Sequence, residues 1–300
     1  MSGCSAGRPP RVTFDDADIG RFGRHPDAGI DVEVIDIHCH ILPGIDDGPA
    51  RIEDSLALAR AAADAGTRVL IATPHVSWAH RNNAATIGRL VRELNARLVA
   101  EGIDLEVLSG AEIATTLVTE IPRRELEQLT LAGGGYLLIE PPFTPIVSGI
   151  EMTIYGLQRD GYRIVLAHPE RCAAFHRDRR VLENLVAGGA LSSITAGSLV
   201  GRFGRDVRRF AHELVADGLA HNVASDAHDA ARRAPGIGAE LEQAGLAPLA
   251  PWLTESVPRA ILAGSEIPAR PRFEPASPPS GWLKRVPWRA GKSAARRQRP

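Results

Sequence analysis

The chain has 300 residues, 44% of them hydrophobic and 24% charged, which is enough apolar side chain for a sizeable core and too much for a disordered polymer. Lys plus Arg number 35 against 36 for Asp plus Glu, and a formal charge of −1 gives no global attraction to nucleic acid or anionic membrane. Cys4, Cys39 and Cys172 are an odd, scattered set with no CxxC pair, so a disulfide framework is excluded; with no apolar run near the roughly 18 residues of a membrane span and no apolar leader, a cytoplasmic location is expected.

Residues 1–33 are polar with a scatter of Gly and Pro, and read as a loosely attached extension. From 34 to 264, short β-branched runs alternate with Ala-, Leu-, Arg- and Glu-rich stretches at helical spacing. Strands are predicted at 32–41, 68–75, 104–113, 136–142, 163–170, 191–197 and 221–228. Helices are predicted at 50–65, 84–101, 149–160, 178–187 and 205–217, several with a C-terminal glycine: Gly66, Gly102, Gly161, Gly188 and Gly218. Seven βα-like units over 231 residues suit a single closed α/β barrel. An open doubly wound sheet would want a glycine-rich phosphate loop after the first strand, where this chain has "IHCHILPG". Residues 265–300 carry nine basic and two acidic residues, a net +7 that leaves −8 for the remainder, and their Pro, Ser and Arg content predicts a flexible basic arm.

Taken in chain order, the strand ends carry His38 and His40, then His75, Glu112, Glu140, His168, and on the seventh Asp226 and His228; Asp47 follows the first strand in "GIDDGP". In an α/β barrel these ends open onto one face, so side chains distant in sequence converge. Residues i and i+2 of a strand point the same way, so His38 and His40 can grip one ion while Cys39 faces the other layer; Asp226 and His228 share that spacing. Each feature alone has an ordinary reading, such as a hydrogen-bonded core histidine for His75 or His168. Glu112 and Glu140 follow the apolar runs "LEVLSGA" and "YLLI", where an unpaired carboxylate is costly to bury and a cation removes that cost. Every strand but the sixth ends in a nitrogen or oxygen donor and none in paired thiolates, which points to a multinuclear Mn, Fe or Zn site for hydrolysis.

The segments "IDIHCHILPGIDDGP", "ATPH", "GAEI", "LLIEPP", "AHPERC" and "ASDAHD" resemble, in order and spacing, the motifs of the polymerase and histidinol phosphatase (PHP) superfamily. They look most like its bacterial branch of metal-dependent protein-tyrosine phosphatases, the CpsB/CapC type tied to capsular and exopolysaccharide synthesis. The resemblance spans about residues 34–264 and neither terminal extension. It implies a distorted (β/α)7 barrel holding three divalent metal ions, often manganese. Carried over, His38, His40, Glu112 and Asp226 would hold the first ion; Glu112 would bridge to a second held also by Glu140 and His168; Asp47, His75 and His228 would hold the third. Asp46 replaces Asp47 if the loop register slips by one.

Metal chemistry then implies a bridging hydroxide, formed because bound water has a pKa of about 7, attacking phosphorus in line while arginines hold the phosphoryl oxygens. Arg171 in "HPERC" and Arg233 in "HDAARRAP" match the family's arginine positions; Arg232 competes with Arg233 on spacing. A phenolate leaving group, of conjugate acid near pKa 10, lessens the need for a general acid, for which His176 and His80 are weaker candidates. No cysteine is followed six residues later by arginine, which excludes cysteine-based phosphatase chemistry. Trp78, in a loop where relatives commonly carry an aromatic and Asn segment, either stacks on a phosphotyrosine ring or caps local packing.

The expected substrate is a phosphotyrosine protein, with the C-terminal tail of a bacterial tyrosine kinase as the partner the resemblance implies. The alternatives are histidinol-phosphate phosphatase or another PHP phosphoesterase, and, outside enzymes, a metal-dependent phosphotyrosine-binding regulatory module. The +7 arm is read as a solvated arm or a tether to anionic membrane or a kinase, ahead of nucleic-acid binding.

Overall fold

A computed structural model describes residues 33–145 and 149–273. The residues form an α/β fold of parallel sheets with helices packed outside them. The strands are β1 (Val34–Cys39), β2 (Thr67–Ala72), β3 (His75–Val76), β4 (Glu106–Ser109), β5 (Glu112–Ala114), β6 (Tyr136–Glu140), β7 (Arg163–Ala167), β8 (Leu191–Thr195) and β9 (Asn222–Ala224). β1, β2 and β4 make one sheet, and β3, β5, β6, β7, β8 and β9 the other, with neighbouring strands parallel throughout. Runs such as Leu137–Ile139 and Ile164–Ala167 are buried throughout, as parallel strands covered on both faces require.

Two of the seven expected strands are each split in two. The second breaks at Thr73–Pro74, where proline has no N–H to give the ladder, and the third at Gly110–Ala111. The breaks lie side by side: the Gly110 amide donates to the Ala72 carbonyl (3.0 Å) and the Glu112 amide to the Pro74 carbonyl (3.2 Å). A Cβ at Gly110 would lie 2.8 Å from the Ile71 side chain, so the close approach requires glycine. Beyond the breaks β3 and β5 pair with His75 opposite Glu112, at the start of short strands where the ends of longer ones were expected.

The end of the chain's last strand returns to the first. The Asp226 amide donates to the His38 carbonyl and the His40 amide to the Ala227 carbonyl, both at 2.9 Å. Asp36, buried inside β1, accepts from the Ser225 hydroxyl (2.5 Å), the Ser225 amide (3.1 Å) and the His38 amide (3.2 Å). Its burial pushes the carboxyl pKa up, opposed by those same donors.

The five expected helices occur as Ile52–Asp64, Ala84–Ala100, Ile150–Arg159, Arg179–Ala187 and Arg205–Ala216. At the end of Arg179–Ala187 the left-handed residue is Gly189 (φ +92°); Gly188, expected there, keeps φ −78° and instead leaves room for the Tyr155 ring, 2.7 Å from where its Cβ would be. Helices Arg123–Gln128, Ile237–Gln243 and Val257–Ala263 were not anticipated. Residues 265–273, which composition assigned to the basic arm, lie along the body: Arg163 donates to the Ser265 carbonyl (2.8 Å), Trp252 to that of Pro268 (3.0 Å), and Arg270 to that of Val215 (2.6 Å). Residues 1–32 of the polar extension and 274–300 of the arm lie outside the described residues. Among the described residues no helix is long and apolar enough to cross a membrane.

Asp36→Ala leaves two buried amides without an acceptor and the Ser225 hydroxyl with only the more distant His38 carbonyl (3.4 Å), and is expected to lower the unfolding free energy of the metal-free chain by about 3 kcal/mol in urea. A loss below about 1 kcal/mol would show that the β1–β9 seam is held elsewhere.

Candidate metal centre

His38 and His40 flank Cys39 on alternating sides of the chain, which sends both imidazoles one way and the thiol the other. Their Nε2 atoms are 3.3 Å apart, while the Cys39 sulfur contacts the Ala227 carbonyl at 3.5 Å, away from the cluster. Glu112 is the hub. Its Oε1 lies 2.8 Å from His168 Nε2; its Oε2 lies 3.0 Å from His75 Nδ1, 3.3 Å from His40 Nε2 and 3.4 Å from His38 Nε2. None of those three is aligned to hydrogen-bond Oε2, which is buried without a partner, as an oxygen shaped for a cation would be.

Asp226 divides its two oxygens. Oδ1 faces His38 (3.6 Å) and His40 (3.7 Å), and Oδ2 accepts a hydrogen bond from Arg171 and forms an ion pair with Arg233, each at 2.6 Å. Asp47 Oδ1 meets His228 Nε2 at 3.2 Å and His75 Nε2 at 3.5 Å. Glu140 stands at the edge, 3.8 Å from His168 and 3.9 Å from His75. All nine imidazole and carboxylate residues singled out in sequence therefore meet, in four overlapping groups whose donor atoms lie within 4.8 Å of one another: His40, Asp47, His75 and His228; His38, His40 and Asp226; His38, Glu112 and His168; His75, Glu112 and Glu140.

Between the neighbouring acids of the loop the geometry is clear. Asp47 faces the cluster, and Asp46 turns behind it to accept from His40 Nδ1 (2.8 Å), the His75 amide (3.1 Å) and the Gly48 amide (3.0 Å). A carboxylate behind an imidazole fixes its tautomer and orientation for a metal at the other nitrogen. Gly48 permits the turn, since a Cβ there would lie 2.4 Å from the His40 carbonyl oxygen. His168 (φ +31°) and Asp226 (φ +49°) are two of the three described non-glycine residues with positive φ. Such strain costs on the order of 1–3 kcal/mol and gathers at functional sites.

The charges are mutually dependent. Burial pushes the Glu112 carboxyl up, but the His38 charge and contacts with His168, His38 and His40 overcome it and hold the group well below the carboxylate range. Burial and the Glu112 charge raise Glu140 to about 7. Burial lowers His40, yet its contacts with Asp46 and Glu112 raise it to about 10.

Arg233 shares Asp226 with Arg171, whereas Arg232 is exposed and only its amide is engaged, on Asp229 at 2.5 Å. His176 Nε2 pairs with the Glu170 carbonyl (2.6 Å), and the His80 ring stacks 5.7 Å from His75. The Trp78 indole N–H donates to the Thr116 carbonyl (3.2 Å), with the Arg81 guanidinium 4.3 Å above its ring. Sequence reasoning missed three residues around Arg171. Phe143 and Phe203 flank the guanidinium at 5.1 and 4.4 Å. Glu170 is fully buried and anchors the "HPER" turn by accepting from the Thr195 amide (3.0 Å) and the Ser198 hydroxyl (2.6 Å).

Comparison with known proteins adds family context to this geometry. The sequence profile for capsular polysaccharide synthesis, CpsB/CapC, matches residues 34–244. The chain is 43% identical over 201 residues to the tyrosine-protein phosphatase YwqE of Bacillus subtilis, spanning 67% of this chain and 79% of that protein. It is 35% identical over 203 residues to the putative tyrosine-protein phosphatase CapC of Staphylococcus aureus, with the same coverage of 67% and 79%. A chain from the crystal structures of YwqE from Bacillus subtilis and CpsB from Streptococcus pneumoniae, described as unique metal-dependent tyrosine phosphatases, superposes with a TM-score of 0.69 at 36% identity, covering 81% of this chain and 100% of that one.

Cation loading of this cluster is expected to expel protons. At pH 7 His40 (about 10) is protonated and Glu140 (about 7) half protonated in the metal-free chain, and both must lose their protons to become donors. Calorimetric titration with Mn in buffers of differing ionisation enthalpy should give roughly one to two protons released per chain, and affinity that rises with pH. Titrations that give the same heat in every buffer would mean the cluster is not where the metal binds.

Proposed function

The chain belongs to the CpsB/CapC family of capsular polysaccharide synthesis, and we propose that it is a metal-dependent protein-tyrosine phosphatase working at the strand-end cluster. The observation that carries this reading is Glu112, buried among four imidazoles with one oxygen unpartnered. Under it the two sheets are one distorted (β/α)7 barrel, closed by the seam from Asp226 and Ala227 to His38 and His40.

Three divalent ions, manganese first among them, suit a donor set of imidazole and carboxylate from which the neighbouring thiol of Cys39 is turned away. His38, His40, Glu112 and Asp226 would hold the first, and Asp47, His75 and His228 the third; each set falls within groups already close in space. For the second, Glu112 is common to the groups that contain His168 and Glu140. When bound, such ions lower the pKa of a water to about 7 and withdraw charge from phosphoryl oxygens.

The chain's own groups supply the rest. Arg171 and Arg233 present guanidinium forks beside the cluster, and each keeps N–H donors beyond the one on Asp226, so a phosphoryl group entering there is held by two cations of fixed direction. Asp226 ties that clamp to His38 and His40, and Asp46 holds His40 and the His75 backbone in register. The phenol of tyrosine leaves with little need of an acid. His176, engaged with the Glu170 carbonyl, is not needed for it. The substrate class is phosphotyrosine on a protein, with the tail of a bacterial tyrosine kinase as the partner, in a reducing cytoplasm that suits the free Cys39 and Cys172.

Stripping metal with chelator should abolish turnover of a phosphotyrosine peptide, and Mn should restore it. Glu112→Gln should lose at least about 10³ in kcat and bind fewer Mn ions per chain by elemental analysis. Wild-type turnover from that variant with undiminished metal would sink the reading, as would faster hydrolysis of phosphoserine peptide or histidinol phosphate than of phosphotyrosine peptide.

A further inference from the structure

Most large hydrophobic side chains left in solvent sit on helices: Val99 on Ala84–Ala100, Met152 and Tyr155 on Ile150–Arg159. Phe143 is different. It lies three residues beyond Glu140, after the stiff pair Pro141–Pro142, whose second carbonyl contacts the Cys172 thiol (3.4 Å). Its ring is 49% exposed, yet it stacks on His168 (centroids 5.4 Å, planes 14° apart) and lies 5.1 Å from the Arg171 guanidinium. Phe203 is on the same guanidinium at 4.4 Å, and Arg171 in turn reaches Asp226.

We propose that Phe143 is the wall against which the substrate's phenyl ring stacks, and so sets the preference for aryl over alkyl phosphates. The proposal rests on the phosphotyrosine reading above and adds the residue that recognises the ring. One oxygen separates phosphorus from the ring in an aryl phosphate, so a phosphoryl group held by Arg171 brings its ring within a few ångströms of whatever flanks that arginine. Of the two rings on that guanidinium Phe143 is the more exposed, Phe203 being partly buried, and ring pairs prefer such offset or edge contacts. Trp78, the aromatic that sequence suggested for this part, is 55% exposed, but its indole donates to the Thr116 carbonyl and its ring lies under the Arg81 guanidinium.

The test is calorimetric binding of phenylphosphonate and methylphosphonate to the Mn-loaded full chain, for wild type, Phe143→Ala, Phe143→Leu and Trp78→Ala. Phe143→Ala should weaken phenylphosphonate about tenfold and leave methylphosphonate within about twofold, with metal content unchanged. Phe143→Leu, which keeps apolar bulk without a flat ring, should fall between. Equal weakening of both ligands would mean that Phe143 only props Arg171, and overturns the proposal; so does an unchanged phenylphosphonate affinity, or a selective loss in Trp78→Ala. If wild type binds the two ligands equally and turns over no phosphotyrosine peptide, the functional reading itself has failed. Equal binding with normal peptide turnover overturns the ring wall alone.

Discussion

A carboxylate with 1% exposure, ringed by four imidazoles and left with an oxygen that no donor satisfies, is the constraint on which the rest of this protein depends. In an apolar interior such a group is expensive unless positive charge stands beside it. Of the imidazoles, His40 and His75 have, against their burial, pKa values raised by contacts that include Glu112, so they favour holding a proton beside it, and the Nε2 atoms of His38 and His40 are crowded to 3.3 Å apart. Divalent cations relieve both tensions at once, because they neutralise the carboxylates and take the imidazoles as uncharged ligands. The positive φ of His168 and Asp226 belongs to the same arrangement, since ordinary strand geometry would not turn these two residues into the cluster.

The fold is organised to deliver this. Paired breaks at Pro74 and Gly110 end one sheet and begin another, and the first residues past them, His75 and nearby Glu112, face each other in register. On the opposite side Asp36 and Ser225 bind the first strand to the last, which brings His38 and His40 to Asp226 across nearly the whole described chain. Asp226 links structure to chemistry, with one oxygen toward the imidazoles and the other holding the two arginines. The two arginines and the ring of imidazoles and carboxylates are therefore one network, and a change in either is felt by the other.

Much of this was legible in sequence because parallel strands buried on both faces leave unbroken apolar runs, and polar residues at their ends stand out against them. His38, Glu112, Glu140, His168 and Asp226 were found in that way. Orientation within loops was not legible: Asp46 and Asp47 are identical in type and adjacent, and only the turn at Gly48 decides which faces the cluster. Arg232 and Arg233 differ likewise by which side chain the loop points inward. The splitting of two strands had a visible cause, Pro74 and Gly110, but nothing local said that pairing would switch sheets there. Helices Ile237–Gln243 and Val257–Ala263 escaped because each has only seven residues, too few to set an apolar period, and Pro258 sits at the start of the second. Phe143 carried a weak signal, its position three residues past Glu140; Phe203 carried none, because its contact with Arg171 exists only in three dimensions.

Anomalous diffraction at the manganese edge from crystals of the Mn-loaded chain would show whether cations occupy this ring. At least two peaks are expected inside the ring of His38, His40, His75, Glu112, His168 and Asp226, with the Glu112 carboxylate among the groups that would hold them. A single peak, or peaks elsewhere with Glu112 in contact with imidazoles alone, would contradict this occupancy.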